Sequence, residues 1–327
     1  MRWLDHPNER SLHATPTPRT GGLAILGSLI VGMLLESARM LAGARLNIQA
    51  GAGFWIIAMA LFIAFVSLWN DWSELSPTVR ILFHALAAAG VALGAGVTVD
   101  AVNVPYLGSV HFGWLGVPLT MLALMWMTNL YNFMDGMDGF AGGMTVLGFG
   151  FLSYLAWTGG KYSIAWVALL TACAAVGFLL YNRPPARIFM GDVGSTLLGF
   201  LAGALSLLGV RQGLFDLWVP ILIFSPFIVD ATVTLLRRLL RGAKVWQAHR
   251  EHYYQRMVLL GWSHRKTVLA EYVLMSACGL SAIAYDRASE GVRLALLLAW
   301  LFIYFALAFF VRMIEQKRLL KETGLAA

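Results

Sequence analysis

The sequence predicts an all-α integral membrane protein, a bundle of about ten transmembrane helices forming one polytopic domain over residues 1–327. Three observations predict it. Only 13% of the 327 residues are charged and 59% are hydrophobic, against about a quarter charged in soluble domains. The mean hydropathy is +0.71. The apolar runs are long and continuous rather than alternating, which favours helices over a barrel.

In chain order the apolar runs fall near 22–42, 53–69, 78–97, 113–131, 139–157, 162–181, 195–210, 217–236, 267–285 and 292–312. Each has roughly the length that a bilayer core requires. Glu36 and Arg39 interrupt the first. The second runs into Asn70-Asp71, residue types that stop or start helices. The fourth leads into the polar stretch Asn129–Gly139. The seventh follows "FMGDVGS", where glycines allow close backbone approach and a new helix offers free N–H groups to an anion. "GDVGS" lacks the spacing of a P-loop. The eighth and ninth are separated by the cationic segment 237–266, expected to be a cytoplasmic loop that contributes to the functional site. Cys173 and Cys278 lie in apolar runs without CxxC spacing, which reads as packing and excludes a disulfide framework or zinc site. The N-terminal stretch has no apolar h-region, so it is not read as a cleaved signal peptide.

Charge sets the orientation. Of 24 Lys and Arg residues, only Arg39, Arg45, Lys161, Arg211, Arg287 and Arg293 fall on one side of the alternating spans. The rest, Arg2, Arg10, Arg19 and Arg80 among them, share the other, which places both termini in the cytoplasm. A net charge of +7 then reflects loops facing anionic lipid rather than nucleic acid.

Four polar segments fall on that cytoplasmic side: Trp69 to Pro77, Asn129 to Gly139, Asn182 to Ser195 and Lys244 to Arg256. On the opposite side Asp100, Asp216, Asp286 and Glu290 stand singly. Asn129, Asn132, Asp135 and Asp138 recur every third residue, a spacing that shares one helix face. Lys244, His249, Arg250, His252 and Arg256 crowd one segment. So many cations disfavour neutral histidine ligands, and phosphate contact is the better reading. Carboxylate and amide oxygens suit Mg²⁺ bridging phosphates, and arginines suit the phosphate oxygens. The residues therefore point to metal-assisted chemistry on a phosphorylated lipid at the cytoplasmic membrane surface.

The segments "PTPRTGGLAI", "NDWSELS", "NLYNFMDGMDGFAGG", "RIFMGDVGSTLLGF", "AHREHYYQR" and "GWSHRK" resemble the polyprenyl-phosphate N-acetylhexosamine-1-phosphate transferase family, in family order from about residue 5 to residue 266. The last loop looks most like the bacterial branch that starts O-antigen and related surface glycans. The resemblance implies an inner-membrane enzyme whose partners are undecaprenyl phosphate, a UDP-N-acetylhexosamine and membrane lipid, with a homodimer allowed. It implies Mg²⁺, for which Mn²⁺ could substitute, at Asn132 and Asp192. Asp138, Gly136, Phe189 and Asn129 would meet the uridine, and His249, Arg250, His252 and Arg187 the phosphates or sugar. Asp71, with Asn70 and Asp135, would be the catalytic candidates.

Three departures stand out. The family's Asp-Asp pair is Asn70-Asp71 here, which argues against an essential base at the first position or for a catalytically silent member. The His-x-His-His run is reduced to "HYYQ" from His252 to Gln255. Members usually carry one more helix before the "PTPR" loop. A competing reading, a polar-lipid transporter or flippase, would spread ionisable groups through the bilayer depth. The uncharged stretches "LFIAFV" and "VALLTACAAVGFLL" speak against it.

Overall fold

The computed structural model describes residues 4–5, 16–42, 51–73, 75–244 and 249–322. Arg2, Arg10 and Arg45 of the charge count, Glu74 of the first polar segment and residues 245–248 of the cationic loop lie outside the described residues.

Ten helices among the described residues are long and apolar enough to cross a membrane, and each coincides with one of the expected runs. They are α1 (Gly21–Ala42), α2 (Ala52–Ser73), α3 (Pro77–Ala89, continued by a wider turn through Gly94), α4 (Gly116–Met134), α5 (Phe140–Thr158), α6 (Tyr162–Asn182), α7 (Gly191–Arg211), α8 (Trp218–Leu240), α10 (His264–Asp286) and α11 (Glu290–Glu322). The short α9 (Tyr253–Leu259) lies in the segment between α8 and α10. Local signals set the starts. Ser76 and Ser263 cap α3 and α10 by accepting from Val79 N and Lys266 N, and Pro77 occupies a first-turn position where no N–H is needed.

Two small antiparallel pairs complete the fold: β1 (Leu4–Asp5) with β2 (Thr17–Pro18), and β3 (Ala101–Val104) with β4 (Gly108–His111). The second forms a hairpin between α3 and α4, at the end of the bundle away from the four polar segments. On that far side, acids that stand singly along the chain are brought together. Asp100 takes Arg211 at 3.0 Å. Asp216 takes Arg293 at 3.1 Å and Asn103 Nδ2 at 2.6 Å. All of these line one recess of about 470 Å³ together with Asp286.

The bundle is organised round α7, in which every residue from Val193 to Gly209 is buried. A helix apolar on all sides belongs in such a position, and small residues let its neighbours approach closely. A Cβ at Gly199 would lie 2.4 Å from Met127 O on α4. Ser67 and Thr196 share a buried hydrogen bond of 2.7 Å that ties α2 to α7. By contrast α11 is mostly exposed, with Leu301, Phe302 and Phe305 turned outward, as a lipid-facing helix would be.

Candidate active site

The site is built on the N-terminus of α7, which a backbone splice holds in place. Phe189 N donates to Pro18 O at 2.7 Å, and Gly21 N and Gly22 N donate to Phe189 O and Met190 O at 2.9 and 2.8 Å. Gly191 turns into the helix with φ +71°, a conformation that glycine adopts without strain. Gly22 lies directly against the backbone of Gly194. The start of α1 is thereby fastened to the start of α7.

Asp192, in the first turn of α7, is the meeting point. Its Oδ1 accepts from Asn132 Nδ2 at 2.9 Å and its Oδ2 from Asn70 Nδ2 at 3.0 Å. Arg80, on α3, stands 3.5 Å from Oδ2. Asn132 Nδ2 also reaches Ser195 Oγ at 2.9 Å. Asn70 Oδ1 is occupied by Leu75 N at 3.0 Å, which fixes its amide so that nitrogen faces Asp192. Four helices, α2, α3, α4 and α7, thus converge on one carboxylate. Asp71 lies within electrostatic reach of Asp192, Arg19 and Arg80. Asp135, just past the end of α4, is held well above the usual carboxylate range by burial and then by the negative charges of Asp192 and Asp5.

The expected single face of Asn129, Asn132, Asp135 and Asp138 is not formed, because α4 ends at Met134. Asn129 turns toward His84 Nδ1 (3.3 Å) and Met125 O. Asp138 instead serves the next turn: its Oδ2 accepts from Ala186 N at 3.0 Å, with His264 Nδ1 at 3.6 Å. Asn182, buried, clamps the same turn by accepting from Gly139 N and donating to Ile188 O, each at 2.8 Å. Gly136 faces Tyr254, whose hydroxyl a Cβ there would meet at 2.2 Å.

The cationic loop is anchored by Asp230 of α8. Its carboxylate accepts from Tyr253 N (2.9 Å), Tyr254 N (3.2 Å) and Thr234 Oγ1 (3.1 Å), with His252 Nδ1 at 3.2 Å. An anion is thereby placed at the N-terminus of α9. His252 is 3% exposed, so it braces the loop from inside. His249 lies beside it with the rings tilted by 33° and their centroids 4.9 Å apart. Burial, then the neighbouring His252 and Arg238, push the His249 pKa down to about 4. At neutral pH it is an uncharged ring. Its Nδ1 accepts from Glu251 N, which leaves Nε2 as the N–H donor. Arg250 is half-buried next to it. Arg187 opens onto a lateral recess instead.

Arg19, Arg80, Ser195, Asn182, Asp230 and His264 carry the site's geometry but were not singled out in the sequence. Arg19 lies in the "PTPR" segment and counted only as a cation. Asp230 sits within an apolar run and has no local signal.

Among the described residues no group of three or more His, Cys, Asp and Glu side chains is arranged to hold a metal ion. The oxygen donors nonetheless fit a hard cation. Rotating the Asn132 amide would present Oδ1 beside Asp192, an arrangement that is repulsive unless a cation lies between them.

A glycosyl transferase family 4 model matches residues 53–210. The chain is 33% identical over 96% of its length to a probable undecaprenyl-phosphate N-acetylglucosaminyl 1-phosphate transferase of Bacillus subtilis, 84% of which is covered. It is 27% identical to a phospho-N-acetylmuramoyl-pentapeptide-transferase of Halalkalibacterium halodurans, over 77% of this chain and 78% of that one. It is 29% identical to a decaprenyl-phosphate N-acetylglucosaminephosphotransferase of Mycobacterium tuberculosis, over 85% and 74%. Over the full bundle, and at the polar segments that meet on Asp192, the chain belongs to the polyprenyl-phosphate N-acetylhexosamine-1-phosphate transferase family.

Proposed function

We propose that the protein transfers N-acetylhexosamine 1-phosphate from a UDP-sugar to undecaprenyl phosphate at the cytoplasmic face of the bacterial inner membrane, and so primes O-antigen or another surface polysaccharide. The observation that carries this reading is the grip of Asn132 and Asn70 on Asp192 at the membrane boundary, in a chain 33% identical to a relative named for such a transfer.

In the proposed reaction a phosphate oxygen of the lipid bonds to the β-phosphorus of the donor. The bond from that phosphorus to the bridging oxygen breaks, and UMP leaves with the electron pair. The nucleophile is already anionic, so no strong base is required, and Asn70 in place of an acid is compatible with turnover. The main barrier is the crowding of negative oxygens. Asn132 and Asp192 would hold Mg²⁺, or Mn²⁺, with Asp71 and Asp135 close by; the ion would neutralise diphosphate charge. Arg250 and the Nε2–H of His249 would bind phosphate oxygens or the sugar. His252 would act by holding that loop. Asp138, Gly136, Phe189 and Asn129 are assigned to the uridine end, and the segment 237–266 contributes to the site from the cytoplasm.

Asp192→Asn is the direct test. UMP release from a UDP-N-acetylhexosamine with undecaprenyl phosphate and Mg²⁺ should fall by at least about a thousandfold. Full turnover in this variant would remove Asp192 from the site.

A further inference from the structure

A second phosphate-sized feature lies outside this cluster. Between the adjoining ends of α6 and α10 is a lateral recess of about 520 Å³. It lies at the same end of the bundle as Asp192. Arg183 and Arg187 enter it from the segment after α6, and Arg265 from the first turn of α10. All three arginines are exposed. No Asp or Glu lines the recess. Among the described residues, no carboxylate forms a salt bridge with any of the three. The apolar wall includes Leu180 and Leu269, which are 63% and 52% exposed on the outer surface of the bundle. The recess therefore pairs a cationic rim at the membrane boundary with a greasy wall open to lipid.

We propose that this recess binds an anionic glycerophospholipid of the bulk bilayer, its phosphate spanned by Arg183, Arg187 and Arg265 and its acyl chains lying along Leu180 and Leu269. Three guanidiniums at one mouth repel each other until an anion joins them, and guanidinium forks match phosphate oxygens. Basic pockets between helix ends on the cytoplasmic side suit anionic headgroups. Bulk lipid is favoured over the acceptor lipid because no lining residue is shared with Asn70, Asn132 and Asp192, and the wall faces outward. The proposal does not depend on the transfer reaction.

The test uses the full chain in detergent, titrated by native mass spectrometry with phosphatidylglycerol and with phosphatidylcholine of the same acyl chains. Phosphatidylglycerol should bind more tightly. Each basic residue near an anionic headgroup is worth about fivefold, so Arg183→Gln with Arg265→Gln should weaken phosphatidylglycerol roughly 25-fold and weaken phosphatidylcholine, whose choline offsets its phosphate charge, much less. The matching lysine pair should retain most of the preference. If the glutamine pair does not fold, Arg265→Gln alone should lose about fivefold. Equal binding of the two lipids would overturn the proposal, as would an undiminished preference in the folded glutamine variant. Displacement of phosphatidylglycerol by millimolar inorganic phosphate would reassign the recess to a soluble anion, and displacement by equimolar undecaprenyl phosphate would reassign it to the acceptor. The lipid preference is read without turnover, so a protein that released no UMP should still show it.

Discussion

Replacing Asn70 by aspartate restores the acid that the family resemblance implies at this position, and the structure gives that change two opposite effects. Asn70 Nδ2 donates to Asp192 Oδ2 at 3.0 Å. An aspartate puts an acceptor where a donor stood, so one charge-assisted hydrogen bond, worth about 1.5–3 kcal/mol, is lost. It also places two carboxylates about 3 Å apart, which repel by roughly 5 kcal/mol at an effective dielectric of about 20 and by little more than 1 kcal/mol in water. The Asp192 side chain is 28% exposed, with Arg80 at 3.5 Å, so the repulsion should lie between these limits, at about 2–3 kcal/mol. Without divalent cation, Asn70→Asp should therefore be less stable than the parent by about 3.5–6 kcal/mol. With Mg²⁺ the second carboxylate becomes a ligand, and the loss should largely disappear. Thermal unfolding in detergent, with EDTA and with Mg²⁺, reads this directly, and UMP release should be equal to or above the parent's. A variant as stable as the parent in EDTA and indifferent to Mg²⁺ would refute both the geometry of the Asn70–Asp192 pair and the placement of the ion.

The other expectations probe the supports of the site. Gly22→Ala would put a Cβ 2.2 Å from Gly194 N and 2.6 Å from its Cα; backbone cannot yield as a side chain does, so a loss of about 3 kcal/mol or more, with weakened activity, should appear in unfolding and turnover assays. Asp230→Asn removes the anion that holds Tyr253 N, Tyr254 N and His252. It should cost about 2 kcal/mol and speed tryptic cleavage at Lys244 and Arg250, and an unchanged cleavage rate would contradict the anchoring role. His249 is pushed down to about 4 from an ordinary 6.5, so folding favours its neutral form. Its contribution is intact above about pH 6.5 and is lost as the pH falls toward 4. His249→Gln should flatten the fall in melting temperature over that window, and a parallel curve would show that the fall comes from other groups.

The ten membrane helices were legible because hydrocarbon imposes length and apolarity on every span, and nothing else in the chain competes with that signal. The convergence of the polar segments was legible for a related reason. Alternating spans fix which ends share a side, and the hydrogen bonds from Asn70 and Asn132 to Asp192 bear out that parity. Other features were not legible. The threefold spacing of Asn129 to Asp138 suggested one helical face, but Gly136 and Gly139 allow the chain to leave the helix after Met134, and periodicity has no meaning beyond a helix end. Asp230 carries no local signal because the backbone N–H groups it holds lie more than twenty residues away in α9. The far-side pairs Asp100–Arg211 and Asp216–Arg293 are likewise products of packing rather than of local sequence.

The structure also explains why an asparagine is tolerable at position 70. A carboxylate at a helix N-terminus close to other acids needs donors to hold it, and Asp192 draws them from α2, α3 and α4 through Asn70, Arg80 and Asn132. An acid at position 70 could not donate and would rely on a cation to mediate the contact. An amide makes the contact by itself, so the site stays assembled without a cation. The same logic assigns the burial of α7 a role. A helix packed on every side from Val193 to Gly209 cannot tilt to relieve strain at its first turn, so the position of Asp192 is set by the whole bundle.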